Sequence, residues 1–249
     1  MPTIRHAHSS SLYSNSPDSL AKQVNRAVSA TDPNATILTF TEVGSDKRTQ
    51  VLKDADPDSW AAWVPSASDV GLMWLKGTYS PVWKEAKKLT DKVWTDGQGR
   101  KHETYCATAL LEHKDGPTLF LSVCHLPSHV QNGCKFYDNA QAKAWKGAVN
   151  GWSDYWNAKR KQDKPTLAML VADWNIDFRK SCWRQWVGDK FPSMYCTWGG
   201  DRMPPAGQGT HGSRLIDATW ATTKPTKAKL LKDDASSDHR PYGEAIPLG

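Results

Sequence analysis

The chain has 249 residues and a formal net charge of +6, from 32 Lys and Arg against 26 Asp and Glu. That length suffices for one large domain over residues 1–249, and the basic balance favours acidic partners such as phosphates or nucleic acid. No stretch reaches the roughly 18 uncharged apolar residues of a membrane span, and Met-Pro-Thr-Ile-Arg-His at the start lacks an apolar signal core, so a soluble, cytoplasmic protein is expected. Five cysteines, an odd number with no Cys-x-x-Cys pair, predict free thiols in a reducing compartment.

In chain order, residues 3–8 predict an opening strand, and Ser16-Pro17 reads as an N-cap and first-turn proline. Leu20, Val24 and Val28 recur every four residues on the helix that follows, and Asp32-Pro33-Asn34 ends it. A second strand, 35–40, delivers Glu42; residues 45–55 predict a short helix and 69–75 a strand. The polar excursion after it carries Lys84, Lys87, Lys88, Lys92, Arg100 and Lys101 among Trp83 and Trp94. Such a mixture can follow a phosphate backbone and stack on bases, but the solvated face of a docked helix is the preferred reading.

Residues 105–112 and 118–124 predict a hairpin closed by Lys-Asp-Gly-Pro, its second strand running into His125. Ala142, Trp145, Val149, Trp152 and Trp156 step by three or four along an amphipathic helix over 138–161, which makes these tryptophans core rather than ligand platforms. The apolar run that opens 166–177 reads as a buried strand with a reactive tip, its alternation placing Asp173 and Asn175 on one face. Residues 181–187 predict a helix and 195–198 a strand. The Gly- and Pro-rich 199–214 reads as a substrate-shaping or disordered loop, 215–221 as a strand holding Asp217, and 224–232 as a basic linker before Asp238, His239 and a last strand. No internal repeat or low-complexity tract is present.

Taken together, the strand-end polar segments are Thr-Glu-Val at 41–43, His-Leu-Pro-Ser at 125–128, Ala-Asp-Trp-Asn at 172–175, Ile-Asp-Ala at 216–218 and Ser-Asp-His-Arg-Pro at 237–241. In that order, over nearly the whole chain, they resemble the endonuclease/exonuclease/phosphatase superfamily, the group of deoxyribonuclease I, neutral sphingomyelinases and inositol polyphosphate phosphatases. The resemblance implies an α/β (α+β) four-layer sandwich: two mainly antiparallel sheets packed face to face, flanked by helices, with a cleft at one edge. It also implies phosphoric ester hydrolysis. Glu42 would be the principal Mg²⁺ ligand, with Asp238 assisting at the metal. Asp173 and Asn175 would position phosphate and water, Asp217 would orient His239, and His125 and His239 would flank the phosphate.

The donor chemistry agrees. Carboxylates suit Mg²⁺ or Mn²⁺, and no Cys or His spacing offers a zinc cage. Metal, imidazole and carboxylate supply charge neutralisation, an activated water and a proton for the leaving oxygen. Two departures stand out. Where the family carries Asn in its first strand this chain has Arg5-His6-Ala7-His8, so His6 or His8 can substitute and Mn²⁺ becomes a contender; and His125-Leu126-Pro127-Ser128 lacks the Tyr segment of apurinic-site endonucleases.

The favoured function is a nuclease cutting DNA or RNA, with Lys84, Lys87, Lys88, Arg100 and Lys101 as candidate nucleic-acid contacts, and the composition fits a small microbial or phage enzyme. The alternative is a hydrolase of inositol phosphates or phospholipid headgroups, for which no membrane anchor is evident. An inactive binding module on the same fold ranks last, since all seven expected site residues are present.

Overall fold

The computed structural model describes residues 3–10, 17–29, 35–44, 46–96, 99–231 and 237–248 and contains two six-stranded sheets. From edge to edge the first runs Lys227–Leu230, Tyr242–Pro247, Thr3–Ser10, Ile37–Thr41, Gly71–Leu75 and Trp60–Trp63. The second runs Tyr195–Cys196, Asp217–Ala221, Leu167–Asp173, Thr118–His125, Tyr105–His113 and Tyr79–Lys88. Each sheet has one parallel pair, Thr3–Ser10 with Ile37–Thr41 and Leu167–Asp173 with Thr118–His125, and the other neighbours are antiparallel.

Three apolar layers follow from the period-2 alternation of side chains. Leu167, Met169 and Val171 face between the sheets, meeting Ile4, Ile37, Leu72 and Trp74 of the opposite sheet. Ala168, Leu170 and Ala172 face outward against Trp145, Val149 and Trp152 of the helix Ala140–Asp163 and Trp183 of the helix Ser181–Lys190. The outer face of the first sheet, with Leu38, Phe40 and Met73, is covered by Leu20 of Pro17–Ser29 and Leu52 of Asp46–Asp54. The result is the expected four-layer sandwich.

The same alternation builds the site. At one end of the layer between the sheets, each inward-facing apolar series turns polar: Leu121 and Val123 are followed by His125, Met169 and Val171 by Asp173, Ile37 by Thr39, and Ile4 by His6 and His8. Register then sets Asp173 beside His125 on one flank and Asp217 on the other.

Several expectations change. Residues 79–88 form an edge strand paired with Tyr105–His113, not a helix, with an irregularity in register between Pro81 and Trp83. The preferred helix reading fails because alternation, not a helical stripe, sets the contacts: Trp83 meets Phe120 on one face while Lys84 Nζ lies 5.8 Å from the Trp63 ring on the other. Trp60–Trp63 is a strand that carried no separate sequence signal, and part of the 224–232 linker pairs as the edge strand Lys227–Leu230. The strand over 166–177 ends at Asp173. Ser16, the Val28 side chain, Ser45 and the 32–34 stop signal lie outside the described residues.

Cysteine pairing is also corrected. Cys134 and Cys182 form a disulfide, while Cys106, Cys124 and Cys196 are free and buried. The partners lie 48 residues apart and are brought together where Phe136 of the hairpin Gln131–Asn132/Lys135–Phe136 packs on Trp183 and Trp186 of the Ser181–Lys190 helix. Sequence spacing carries no sign of such a contact, and the bond removes the cysteine argument for a reducing compartment. The double variant Cys134→Ser/Cys182→Ser should lose roughly 2–4 kcal/mol of stability by urea unfolding. Equal midpoints with and without reductant would show that the bond contributes nothing. No described helix is long and apolar enough to cross a membrane.

Candidate active site

A cleft of about 870 Å³ opens where the inter-sheet layer turns polar, lined among others by Glu42, Asp69, His125, Asp173, Asn175, Asp238 and His239. Two carboxylate–imidazole pairs converge on Asp173. His125 Nδ1 donates to Asp69 Oδ2 at 2.7 Å and turns Nε2 toward Asp173 Oδ2 at 3.7 Å. His239 Nδ1 donates to Asp217 Oδ2 at 2.8 Å and turns Nε2 toward the same Asp173 oxygen at 3.9 Å.

The charges of the cleft act on one another. Burial works to lower both imidazole pKa values, but Asp69 beside His125, and Asp217 and Asp173 beside His239, outweigh it and push each up to about 10. Both rings are therefore cationic at neutral pH. Asp173, 1% exposed, is pushed up to about 7 by burial and by Asp217, against the pull of the two imidazoles. Burial likewise tends to raise Asp217 and Asp69, yet His239 and His125 respectively hold each below the ordinary carboxylate range.

Asn175 lies beyond the strand with φ 55, so alternation does not place it; a local turn does. Its N–H donates to Asp173 Oδ1 at 3.0 Å and its Nδ2 to Leu126 O at 2.9 Å, fixing the carboxylate. Glu42, also left-handed at φ 62, brings Oε1 to 4.0 Å from His125 Nε2. Gly44 allows Asp69 to approach from the adjoining segment: a Cβ there would stand 2.7 Å from the Asp69 Cβ.

Asp238 has a partner with a fixed tautomer. A guanidinium only donates, so Arg214 Nη2, 2.8 Å from His211 Nδ1, leaves the His211 proton on Nε2, which faces Asp238 Oδ2 at 3.2 Å. Asp238 Oδ1 in turn lies 3.9 Å from His239 Nε2.

Glu42, His125 and Asp173 bring ligand atoms within 4.8 Å of one another; the two carboxylates are hard oxygen donors that fit Mg²⁺ or Mn²⁺, while His125 keeps its proton on Nε2. His211, Asp238 and His239 form a second group of this kind, but its His211 Nε2 carries a proton. His6 and His8 are not among the residues that line the cleft; they are buried between the sheets behind Asp217.

Of the basic candidates, Arg100 and Lys101 line the cleft, whereas Lys84, Lys87 and Lys88 belong to the edge strand, with Lys88 Nζ held by Glu103 at 2.7 Å. Trp94, stacked on His102 at 4.5 Å, lines the cleft as well. Sequence reasoning passed over Asp69 and His211. Asp69, an acid just before a strand on the sheet opposite His125, carried a faint signal; His211, inside an irregular loop, carried none.

No protein-family model matches the sequence, and no curated protein matches it by sequence. Solved structures do match in three dimensions. The mannosyl-6-phosphatase of Bacteroides thetaiotaomicron superposes with a TM-score of 0.74 at 13% identity, covering 98% of this chain and 100% of that one. The human Nocturnin catalytic domain, with bound sulfate, gives 0.68 at 14%, covering 99% and 93%. TDP2 of D. rerio, complexed with a single-strand DNA product, gives 0.65 at 13%, covering 99% and 100%. The chain has the endonuclease/exonuclease/phosphatase fold. In this deoxyribonuclease I-like sandwich the polar end of the inter-sheet layer is the open edge, and every strand-end residue singled out from the sequence except His6, His8 and Asp217 lines the cleft there.

Proposed function

We propose that this protein is a divalent-metal-dependent phosphodiesterase that cleaves nucleic acid, DNA foremost. The observation that carries the reading is the convergence of the Asp69–His125 and Asp217–His239 pairs on Asp173. Two cationic imidazoles present Nε2–H to the phosphoryl oxygens, and one of them protonates the leaving oxygen. Asp173, whose pKa of about 7 suits a base near neutrality, takes the proton of the attacking water at Oδ2. Asn175 keeps that carboxylate in place through its N–H. A Mg²⁺ or Mn²⁺ ion held by Glu42, with Asp238 across the cleft, would neutralise charge that builds on the phosphate.

A polymeric substrate is supported by the net charge of +6, by Arg100 and Lys101 on the cleft wall, and by the Trp94 platform. The likeness to a mannosyl-6-phosphatase favours a second reading, hydrolysis of small phosphate monoesters, with inositol phosphates and phospholipid headgroups as further candidates.

Supercoiled plasmid, single-stranded DNA and RNA, and a panel of sugar and inositol phosphates, each with Mg²⁺ or Mn²⁺, separate the two. Cleavage of nucleic acid that EDTA abolishes and that falls steeply with salt is the expected result. Phosphate release from the small esters, with nucleic acid intact, would move the assignment to a phosphatase.

A further inference from the structure

Behind Asp217 the inter-sheet layer holds His8, Thr39, His6 and Glu244, none more than 2% exposed and none lining the cleft. Because Asp217 Oδ2 accepts from His239, Asp217 Oδ1 is left without a hydrogen-bond partner, and so is His8 Nε2; these two buried atoms face each other at 3.4 Å. Only a proton on His8 Nε2 satisfies both.

That proton orders the rest of the row. Thr39 Oγ1 lies 2.8 Å from His8 Nδ1 and 2.8 Å from His6 Nε2, and it has one hydrogen to give. With His8 protonated at Nε2, the hydroxyl donates to His8 Nδ1 and accepts from His6 Nε2–H. His6 Nδ1 lies 2.8 Å from Glu244 Oε1, a carboxylate oxygen that accepts, so His6 holds both ring protons beside Glu244. Thr197 Oγ1 donates to the other Glu244 oxygen at 2.7 Å.

We propose that His8 is a positioning residue, donating Nε2–H to Asp217 Oδ1 and so fixing the Asp217–His239 pair, its tautomer imposed by Glu244 through His6 and Thr39. The groups facing His8 are Asp217, Thr39, His6, His239 and the ring of Tyr242 at 5.5 Å. Burial lowers the His8 pKa in spite of Asp217, in keeping with a single ring proton on His8. Without the Glu244 carboxylate the row loses the acceptor at its far end, Thr39 can turn its hydrogen to His6, and a bare His8 nitrogen is left against Asp217. The carboxylate then loses one of its two anchors and His239 its fixed orientation.

The effect on rate rests on the hydrolase reading above, whereas the ring protonation does not. In ¹⁵N-resolved NMR of the full chain, His8 should show a protonated Nε2 with a bare Nδ1, and His6 two protonated nitrogens. His8→Leu and Glu244→Gln should each lower kcat by about 10–100-fold with KM little changed, as loss of an orienting partner does. His8→Gln, whose amide places a donor where Nε2 stood, should keep most of the rate. A bare His8 Nε2 in the wild-type protein overturns the proposal, as does full activity in His8→Leu. A wild-type protein that hydrolyses nothing would refute the hydrolase reading alone, and the spectrum would still decide the row.

Discussion

His239→Ala is expected to lower kcat by about 10²–10⁴-fold while KM moves far less, the loss that follows removal of a positioned acid or base. The ring is 6% exposed, anchored at Nδ1 by Asp217, and its Nε2 faces Asp173 and Asp238. Its sign of charge is equally testable. With its pKa pushed up to about 10, the ring is a cation throughout the range in which an ordinary histidine titrates. Rate should therefore rise as Asp173 ionises near pH 7 and fall only as His239 and His125 lose their protons toward pH 10.

Asp217→Asn removes the largest influence raising the His239 pKa, so the basic limb of the profile should move down toward neutral pH. The same shift links to stability. A histidine with a raised folded-state pKa contributes stability that is complete below its ordinary 6.5 and disappears as pH rises through about 10, a contribution Asp217→Asn should largely remove. A basic limb that stays put in Asp217→Asn would show that Asp217 does not control His239.

The parts of this site visible in the sequence were those that sit at the ends of apolar strands. His125 and Asp173 each close a period-2 series whose apolar members define the inward face, so the direction of each side chain was fixed before the fold was known; Asp217 opens its strand, and antiparallel register with Asp173 places it. Asn175 and Glu42 were found by resemblance but reach the cleft through left-handed backbone, which alternation does not describe. What stayed hidden depends on contacts between distant segments. Asp69 meets His125 across 56 residues, Glu244 meets His6 across 238, and Cys134 meets Cys182 only because a hairpin rests on a helix. The basic excursion was misread for a different reason: its residues alternate as an edge strand, and Pro81 with the neighbouring irregularity in register obscures the period.

Chelation should abolish activity, and Glu42→Gln should reproduce much of that loss at limiting metal while leaving the fold intact. Glu42, Asp69, Asp173 and Asp238 all line one cleft, and the two imidazoles there offset only part of that negative charge. A divalent ion at Glu42 offsets more, so it should bind the folded chain and stabilise it, by about 2.7 kcal/mol at a concentration 100 times its dissociation constant. Removing the Glu42 charge takes away one charge-assisted contact, about 1.5–3 kcal/mol, which corresponds to a loss of affinity of roughly 10–100-fold. Tm measured against Mg²⁺ and Mn²⁺ concentration reads this without any substrate. With His125 protonated at Nε2 the donors are carboxylate oxygens, which suit either ion, so both the Mg²⁺ and the Mn²⁺ curve should rise. A Tm indifferent to both ions, in a protein that nonetheless hydrolyses phosphate esters in EDTA, would leave Asp173 and the two histidines to act without a metal.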